Sequence, residues 1–415
     1  MYNPWWKYQL KGLLGRKNNT WHFDRMCKQY LARCNVLQIQ SAFREAELMV
    51  NLEDDIESPL SFTGFENYYR NPLFDLGYEL RESILTKEKG CFKDLPIEFV
   101  FHTPSVSLSM GGHSWFSSLS QSLRYQGLHV HSFWKSKDFP ILDRNKTAVL
   151  FTGYNSLYLN ELQDDFLAFV KNNTKKLIFL FSVPFDETTI SVMHKLSSKY
   201  SLYGMVNFYT FYDANYTPYI EFKHEIETSG YSLYHIPFAA NPLYHFPSPL
   251  ISNRFDYIFL GSANFDKIDR YNDYFDFIIR NYSGLILGPG WPWSNSYSFN
   301  ARIDKYLYAQ GSVALNLHIE SQIQHPSEVN ERTYILAACG AAQVIDNPKL
   351  LNKIYSDIDV AISSEDYHTK LKNILNNQGE SFPLLENLMR KTFKEHTTFN
   401  RIKQFIPELI KNFQC

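Results

Sequence analysis

The feature that most constrains this chain is a repeated alternation. Short, nearly continuous apolar runs are separated by longer stretches of helical periodicity. IEFVFHT (97–103), LHVHSF (128–133), AVLFTG (148–153), KLIFLFSV (176–183), YGMVNFY (203–209) and YSLYHIP (231–237) form a first series. FDYIFLG (255–261), GLILG (284–288), SVALNLHI (312–319), AAQVID (341–346) and DIDVAI (357–362) form a second. Strands of a parallel sheet are covered by helices on both faces, so they read as unbroken apolar runs of this kind. Helical stretches such as Ser114–Gln126, Leu157–Asn172 and Asp186–Lys199 lie between them. Each series therefore reads as successive βα units, and two α/β domains with doubly wound parallel sheets are expected. The boundary falls in YHFPSPLISNR (244–254), where Pro247 and Pro249 interrupt any periodicity and the segment reads as a linker. This places the first domain at 91–243 and the second at 244–395. Residues 1–90 hold helical patches at Met26–Arg33 and Ala42–Glu53 and read as an extension or as part of the first domain. The run Glu53-Asp54-Asp55 reads as a solvated face.

Length and composition narrow the function classes. At roughly 150 residues per domain, 415 residues make two or three domains. Hydrophobic residues at 44% and charged residues at 20% belong to a globular chain rather than a disordered one. Lys and Arg total 41 against 43 Asp and Glu, so no whole-chain field draws the protein to nucleic acid, and no nucleic-acid partner is expected. Five scattered cysteines make no disulfide framework and point to a reducing compartment. Cys27 and Cys34 lie seven residues apart and suit a buried helix stripe better than a zinc site with His22. No apolar run approaches the roughly 20 residues of a membrane span, and MYNPWWKYQLKGLLGRK lacks the apolar core of a signal peptide, so a cytoplasmic location is expected. Within that start, Trp6, Leu10, Leu13 and Leu14 share one helical face flanked by Lys7, Lys11, Arg16 and Lys17. Such a helix either docks on the protein's own core or makes a peripheral contact through residues 1–17 at the inner face of a membrane.

In open α/β sheets ligands bind beyond the carboxyl ends of the strands, where loops enter helices. Four such junctions carry candidate residues. In the first, Gly111 and Gly112 precede an amphipathic helix with His113 beside them, where backbone can approach a ligand. In the second, Gly261 and Ser262 follow a strand, with Lys267 and Arg270 within reach of a diphosphate. In the third, Gly288, Gly290 and Trp291 form a G-x-G without the third glycine or the later acidic residue of a dinucleotide site. A nicotinamide-dependent oxidoreductase is therefore disfavoured. In the fourth, Asn316 and His318 end a strand, and Asn330, Glu331 and Arg332 open a helix that closes at Gly340. Asp357-Ile358-Asp359 spells D-x-D, but inside a late apolar strand, and reads as chance. No metal and no cofactor is expected.

IPFAANP (236–242), FDYIFLGS (255–262), GPGW (288–291), ALNLH (314–318), NERTY…ACG (330–340) and EHTTFNRI (395–402) occur in order over about 170 residues. Together they resemble the CgeB-like, spore-maturation-type glycosyltransferases of the group-1 class. YGMVNFYTFYDANYTPYI (203–220) is similar to the end of that family's first domain, with Asp213 in the corresponding place. The resemblance implies a GT-B fold, two Rossmann-like domains facing a cleft, with the nucleotide-sugar donor on the second domain and the acceptor on the first. It implies that Gly261, Ser262 and Arg270 lie near the donor diphosphate, where the reading of the loop itself already puts Lys267. Gly288, Gly290 and Trp291 would border the base, and Asn316, His318, Asn330 and Arg332 would surround the sugar or phosphates. Gly111 and Gly112 would face the acceptor. The closing segment 396–415 corresponds to a helix that often crosses back to the first domain in this family.

The function expected on this basis is transfer of a sugar from a nucleoside-diphosphate donor to a glycan or lipid-linked acceptor, as in polysaccharide biosynthesis. Cations and helix N-termini can stabilise the leaving diphosphate without a metal. If the transfer inverts configuration, His113 and Asp213 are the candidate bases. One departure feeds a second reading. Where the family usually has a ribose-holding Glu, this chain has Ile335, and Glu331, one helical turn earlier, is the candidate replacement. A degenerate homologue that binds a nucleotide sugar without turning it over, or serves as a scaffold, is the alternative.

Overall fold

The computed structural model describes residues 21–53, 67–102, 111–133, 139–152, 172, 177–182, 206–210, 224, 227–228, 232–263, 267–294, 301–319, 322–323, 329–346, 351–356 and 358–413. The amphipathic start at 1–17, Asp213, Asp357 and most of the helical stretches expected at Leu157–Asn172 and Asp186–Lys199 lie outside them.

In chain order, helices α1 (21–33) and α2 (Val36–Glu53) precede strand β1 (Tyr69–Arg70) and helix α3 (Phe74–Glu88). Then come β2 (Ile97–His102), α4 (Gly111–Tyr125), β3 (His129–Phe133), β4 (Thr147–Thr152), β5 (Leu177–Ser182), β6 (Val206–Thr210) and β7 (Leu233–His235). The remainder is β8 (Leu250–Ile251), β9 (Phe255–Leu260), α5 (Ile268–Asn281), β10 (Gly284–Leu287), α6 (Asp304–Tyr308), β11 (Gly311–Asn316), α7 (Glu331–Ala338) and β12 (Gln343–Asp346). It closes with α8 (Leu351–Ile354), β13 (Val360–Ala361), α9 (Ser364–Asn376), α10 (Phe382–Glu395) and α11 (Thr398–Phe413). Two compact units result. One gathers the described residues of Met1–Tyr78, Tyr244–His325 and Leu336–Arg390, the other those of Glu79–Leu243, Pro326–Ile335 and Lys391–Cys415.

The first unit holds a five-stranded sheet of order β10-β9-β11-β12-β13, parallel throughout. Its first strand lies inside the sheet and the order reverses there, so right-handed crossovers place helices on both faces. The switch point lies between β9 and β11. All four residues of β10 are buried, as a covered parallel strand requires. Although β10 ends the sheet, Ile286 at its middle is hydrogen-bonded on that side too. Its N–H donates to Tyr30 Oη of α1 at 2.9 Å, and its carbonyl accepts from Trp293 Nε1 at 2.7 Å. Tyr30 also stacks on Trp293, with ring centroids 4.3 Å apart. Helix α2 is tied down by Gln310 Nε2, which donates to the Ala42 carbonyl at 2.7 Å, and by Arg254 paired with Glu45 at 2.7 Å. The amino-terminal helices thus belong with this sheet. Cys27 and Cys34 are buried thiols on α1 and the turn after it, and burial pushes the Cys27 thiol up to about 12.

The segment 244–254 is not a linker. His245, Phe246, Ser248, Leu250 and Ser252 are buried, and β8 pairs antiparallel with β1, Leu250 opposite Arg70. Asn71 Nδ2 donates to the Ser248 carbonyl at 2.9 Å. The prolines interrupt periodicity because the segment is irregular, yet Ser248 Oγ donates to the Leu250 carbonyl at 2.7 Å and the Asn71 N–H to the Pro249 carbonyl at 3.0 Å.

The second unit holds a six-stranded parallel sheet of order β3-β2-β4-β5-β6-β7, the same topology extended by one strand. One face is packed by α4 and α11 together. Trp115, Phe116, Leu119 and Leu123 from α4 join Ile402, Phe405, Ile406 and Leu409 from α11 over Phe99, Phe101, Val149 and Phe151. Helix α4 begins at Gly111, so Gly111 and Gly112 form its first turn rather than a loop before it. Among the described residues, no helix is long and apolar enough to cross a membrane.

Candidate functional site

The carboxyl edge of the five-stranded sheet gathers several residues singled out above. After β9 the chain continues alongside the chain leaving β10: the Gly261 N–H donates to the Leu287 carbonyl and the Ala263 N–H to the Pro289 carbonyl, each at 2.8 Å. This close approach explains the glycines opposite. Gly288 has φ 144° and Gly290 has φ 85°, both in the region that L side chains avoid. A Cβ on Gly288 would sit 2.2 Å from the Gly261 carbonyl oxygen, and one on Gly290 2.7 Å from that of Ala263. These glycines therefore serve loop-to-loop packing.

Trp291 is also internal. It is 0% exposed, and its indole Nε1 donates to the Gly261 carbonyl at 2.7 Å. It packs among Phe23, Phe259, Tyr271 and Trp293. With no exposed ring face it cannot stack on a base; it supports the Gly261–Ser262 loop from beneath. Tyr271 Oη donates to the Ser262 carbonyl at 2.8 Å, and Lys267 Nζ lies 3.4 Å from Ser262 Oγ. Lys267 precedes α5, whose first turn carries Arg270.

Arg270 does not stand alone. Its Nη2 donates to Asp346 Oδ2 at 2.5 Å, and its guanidinium lies 5.0 Å from the centre of the Tyr274 ring. Asp346 ends β12 and also accepts from His318 twice, from Nδ1 at 2.6 Å and from the backbone N–H at 3.0 Å. Burial alone would raise the Asp346 carboxyl, but His318 and Arg270 outweigh it and hold the acid below its ordinary value. Asp346 is therefore a carboxylate, which only accepts, so His318 carries its hydrogen on Nδ1. Asn316 is enclosed one layer deeper. Its Nδ2 donates to Gln343 Oε1 at 3.0 Å and its N–H to Tyr367 Oη at 3.1 Å. Asn316 and His318 thus support the edge rather than line an open surface. Asp346 was not among the residues singled out from sequence. The available signal was an acid closing an apolar strand on the edge that also carries His318.

A hollow of about 350 Å³ lies between α1 and α5, lined by His22, Arg25, Asp269, Asn272, Asp273 and Asp276. Three carboxylates make it a poor match for a diphosphate. Asp359 is paired with Lys370 at 2.5 Å, and among the described residues no group of three His, Cys, Asp or Glu side chains is arranged as a metal site.

The remaining candidates lie in the other unit. Asn330 caps α7: its Oδ1 accepts from the Thr333 N–H and hydroxyl, both at 3.0 Å. Glu331 and Arg332 follow in the first turn, and Ile335 is buried at 8% exposure. The His113 side chain, like Asp213, is outside the described positions. Near the start of α11, Arg401 Nη2 donates to the Phe238 carbonyl at 3.2 Å and lies 3.1 Å from His396 Nδ1. His396 is held neutral, its pKa lowered to about 3 by burial and by Arg401 and Lys391.

Residues 273–407 match the family model described as Glycosyl transferase-like. No curated protein matches the chain. Among solved structures, the trehalose-6-phosphate phosphatase N-terminal domain of Candida albicans is 9% identical over 76% of this chain and 96% of its own, with a TM-score of 0.45. An alpha-glucosyltransferase in complex with UDP-glucose and DNA containing an abasic site is 8% identical over 77% of this chain and 99% of its own, with a TM-score of 0.48.

Proposed function

We propose that this chain transfers a sugar from a nucleoside-diphosphate donor to a glycan or lipid-linked acceptor, and that the donor binds at the carboxyl edge of the five-stranded sheet. The observation that carries the reading is the pairing of a switch point between β9 and β11 with the Ser262, Lys267 and Arg270 cluster beside it. The glycosyl transferase-like match supports it, since it begins inside α5 and runs through β11 and α7 into α11. Breaking the bond between the sugar and the diphosphate leaves negative charge on the departing phosphate. Arg270 and Lys267 offset that charge, and the more firmly they are preorganised the less reorganisation the reaction requires. Glu331, in the first turn of α7, is the candidate to replace the acid absent at Ile335. The acceptor side falls to the other unit, with His113 and Asp213 as candidate bases.

Screening a panel of nucleoside-diphosphate sugars for thermal stabilisation tests the reading, because a ligand bound to the folded state raises apparent stability by mass action. One or two donors are expected to stabilise, and slow hydrolysis of the best donor should follow with EDTA present. A panel with no stabilising member would remove the proposal. A second reading has its own observation. The aliphatic Ile335 favours a homologue that binds the donor without turnover, and stabilisation without any hydrolysis would select it.

A further inference from the structure

Asp346 follows Ile345, which pairs with Asn316 of β11, so the carboxylate lies beside the chain as it leaves β11 toward His318. Its side chain is 1% exposed and that of His318 is 0%, whereas Arg270 keeps 14%. Of the three, only Arg270 has surface to offer a ligand. Asp346 and His318 can act on that ligand only through it.

We infer that Asp346 is a positioning residue, which holds the Arg270 guanidinium toward the anionic portion of a nucleoside diphosphate while His318 braces the carboxylate from the neighbouring strand. This rests on the donor-binding reading above. An arginine side chain loses considerable rotamer freedom when it grips an anion, and a guanidinium already pinned loses less of it on binding. Here one edge of the guanidinium is fixed by Asp346 and its planar group lies against Tyr274, so the group has a set orientation. Asp346 in turn cannot swing to follow Arg270, because His318 holds it at both oxygens. A carboxylate merely close to an anion site would be a liability, since it repels the ligand. Positioning and mere proximity therefore predict opposite signs for the same substitution.

The test titrates UDP and GDP into the full-length protein, its Asp346→Asn and Arg270→Ala variants, and the double variant. If Asp346 positions Arg270, Asp346→Asn weakens the better of the two nucleotides by about 10-fold, although a negative charge has been removed. In the Arg270→Ala background the same substitution costs nothing. Unchanged or tighter binding in the single variant overturns the inference, as does an undiminished loss in the double background. Should Asp346→Asn fail to fold, Asp346→Glu takes its place. It keeps the charge and shifts the carboxylate by one methylene, so weaker binding then reports geometry alone and unchanged binding refutes the role. A second readout needs no nucleotide: ¹⁵N spectra of His-labelled protein, with His318 assigned by His318→Gln. Loss of the carboxylate should shift the Nδ1 signal of His318, and an unchanged signal counts against the arrangement. If wild-type protein binds neither nucleotide and no member of the donor panel stabilises it, the donor reading fails, while the imidazole spectrum still decides whether Asp346 holds this cluster.

Discussion

Helices α1 and α11 dock on different sheets and by different means. Helix α11, near the carboxyl terminus, supplies core to the six-stranded unit: Ile402, Ile406 and Leu409 are each 0% exposed within one cluster shared with α4. Helix α1, near the amino terminus, instead covers an edge of the five-stranded unit, through one tyrosine hydroxyl and a set of stacked rings. The first is an apolar contact roughly proportional to buried area; the second satisfies polar groups that a strand at the sheet's end would leave open. A helix that builds core and a helix that closes an edge should fail differently when damaged.

The largest effect is expected at the core. Ile406→Ala should cost about 2–5 kcal/mol, with hydrogen-exchange protection lost in β2 and β4 and retained in β9 and β10. Equal loss in both sheets would show that α11 is not specific to the six-stranded core. Next is Arg401→Met, which strips donors from the Pro237, Phe238 and Glu395 carbonyls, and about 2–3 kcal/mol is expected from the groups left unsatisfied. Faster amide exchange around residues 237–240 would locate that loss.

Acid offers a comparison with one histidine in each unit. His245 and His396 both have pKa values lowered to about 3 from the ordinary 6.5, chiefly by burial. A depressed histidine favours folding fully above its unfolded value, and that contribution is lost as pH falls from 6.5 toward 3. Each histidine should therefore steepen the decline by up to about 1.4 kcal/mol per pH unit below 6.5, measured by urea unfolding at stepped pH. His396→Gln should flatten the slope for the six-stranded unit and leave the other unchanged. The smallest effect is at the edge: Tyr30→Phe, which removes one oxygen, should cost about 1 kcal/mol and accelerate exchange of the Ile286 amide.

The strands were legible because a covered parallel strand is apolar on both faces, so β2, β4 and β9 stand out without any alignment. The role of 244–254 was not, because β8 pairs with a strand some 180 residues earlier and local periodicity carries no trace of that pairing. The amino-terminal helices were visible as patches, but their partner sheet was not, for the same reason. The placement of Ser262, Lys267 and Arg270 beyond the carboxyl end of β9 could be read from their position after an apolar strand. Trp291 looked like a ligand contact because it follows two glycines. Those glycines instead answer to the backbone of 261–263, and the indole is consumed by the Gly261 carbonyl. In the sequence Asp346 is the last letter of a strand, and only the register of β11 and β12 brings it to His318.

The hydrogen bonds that Tyr30 and Trp293 make to Ile286 have a further consequence for self-association. An uncovered strand at the end of a sheet is a template on which another chain can add its own strand, and apolar strands are the most hazardous. The residues of β10, Gly-Leu-Ile-Leu, are of that kind. By occupying both the donor and the acceptor of its central residue, two aromatic side chains make the strand a poor template while leaving its pairing with β9 intact. A version shortened to begin after α1 would keep every strand of the five-stranded sheet and still be expected to polymerise edge to edge, a failure of solubility rather than of fold.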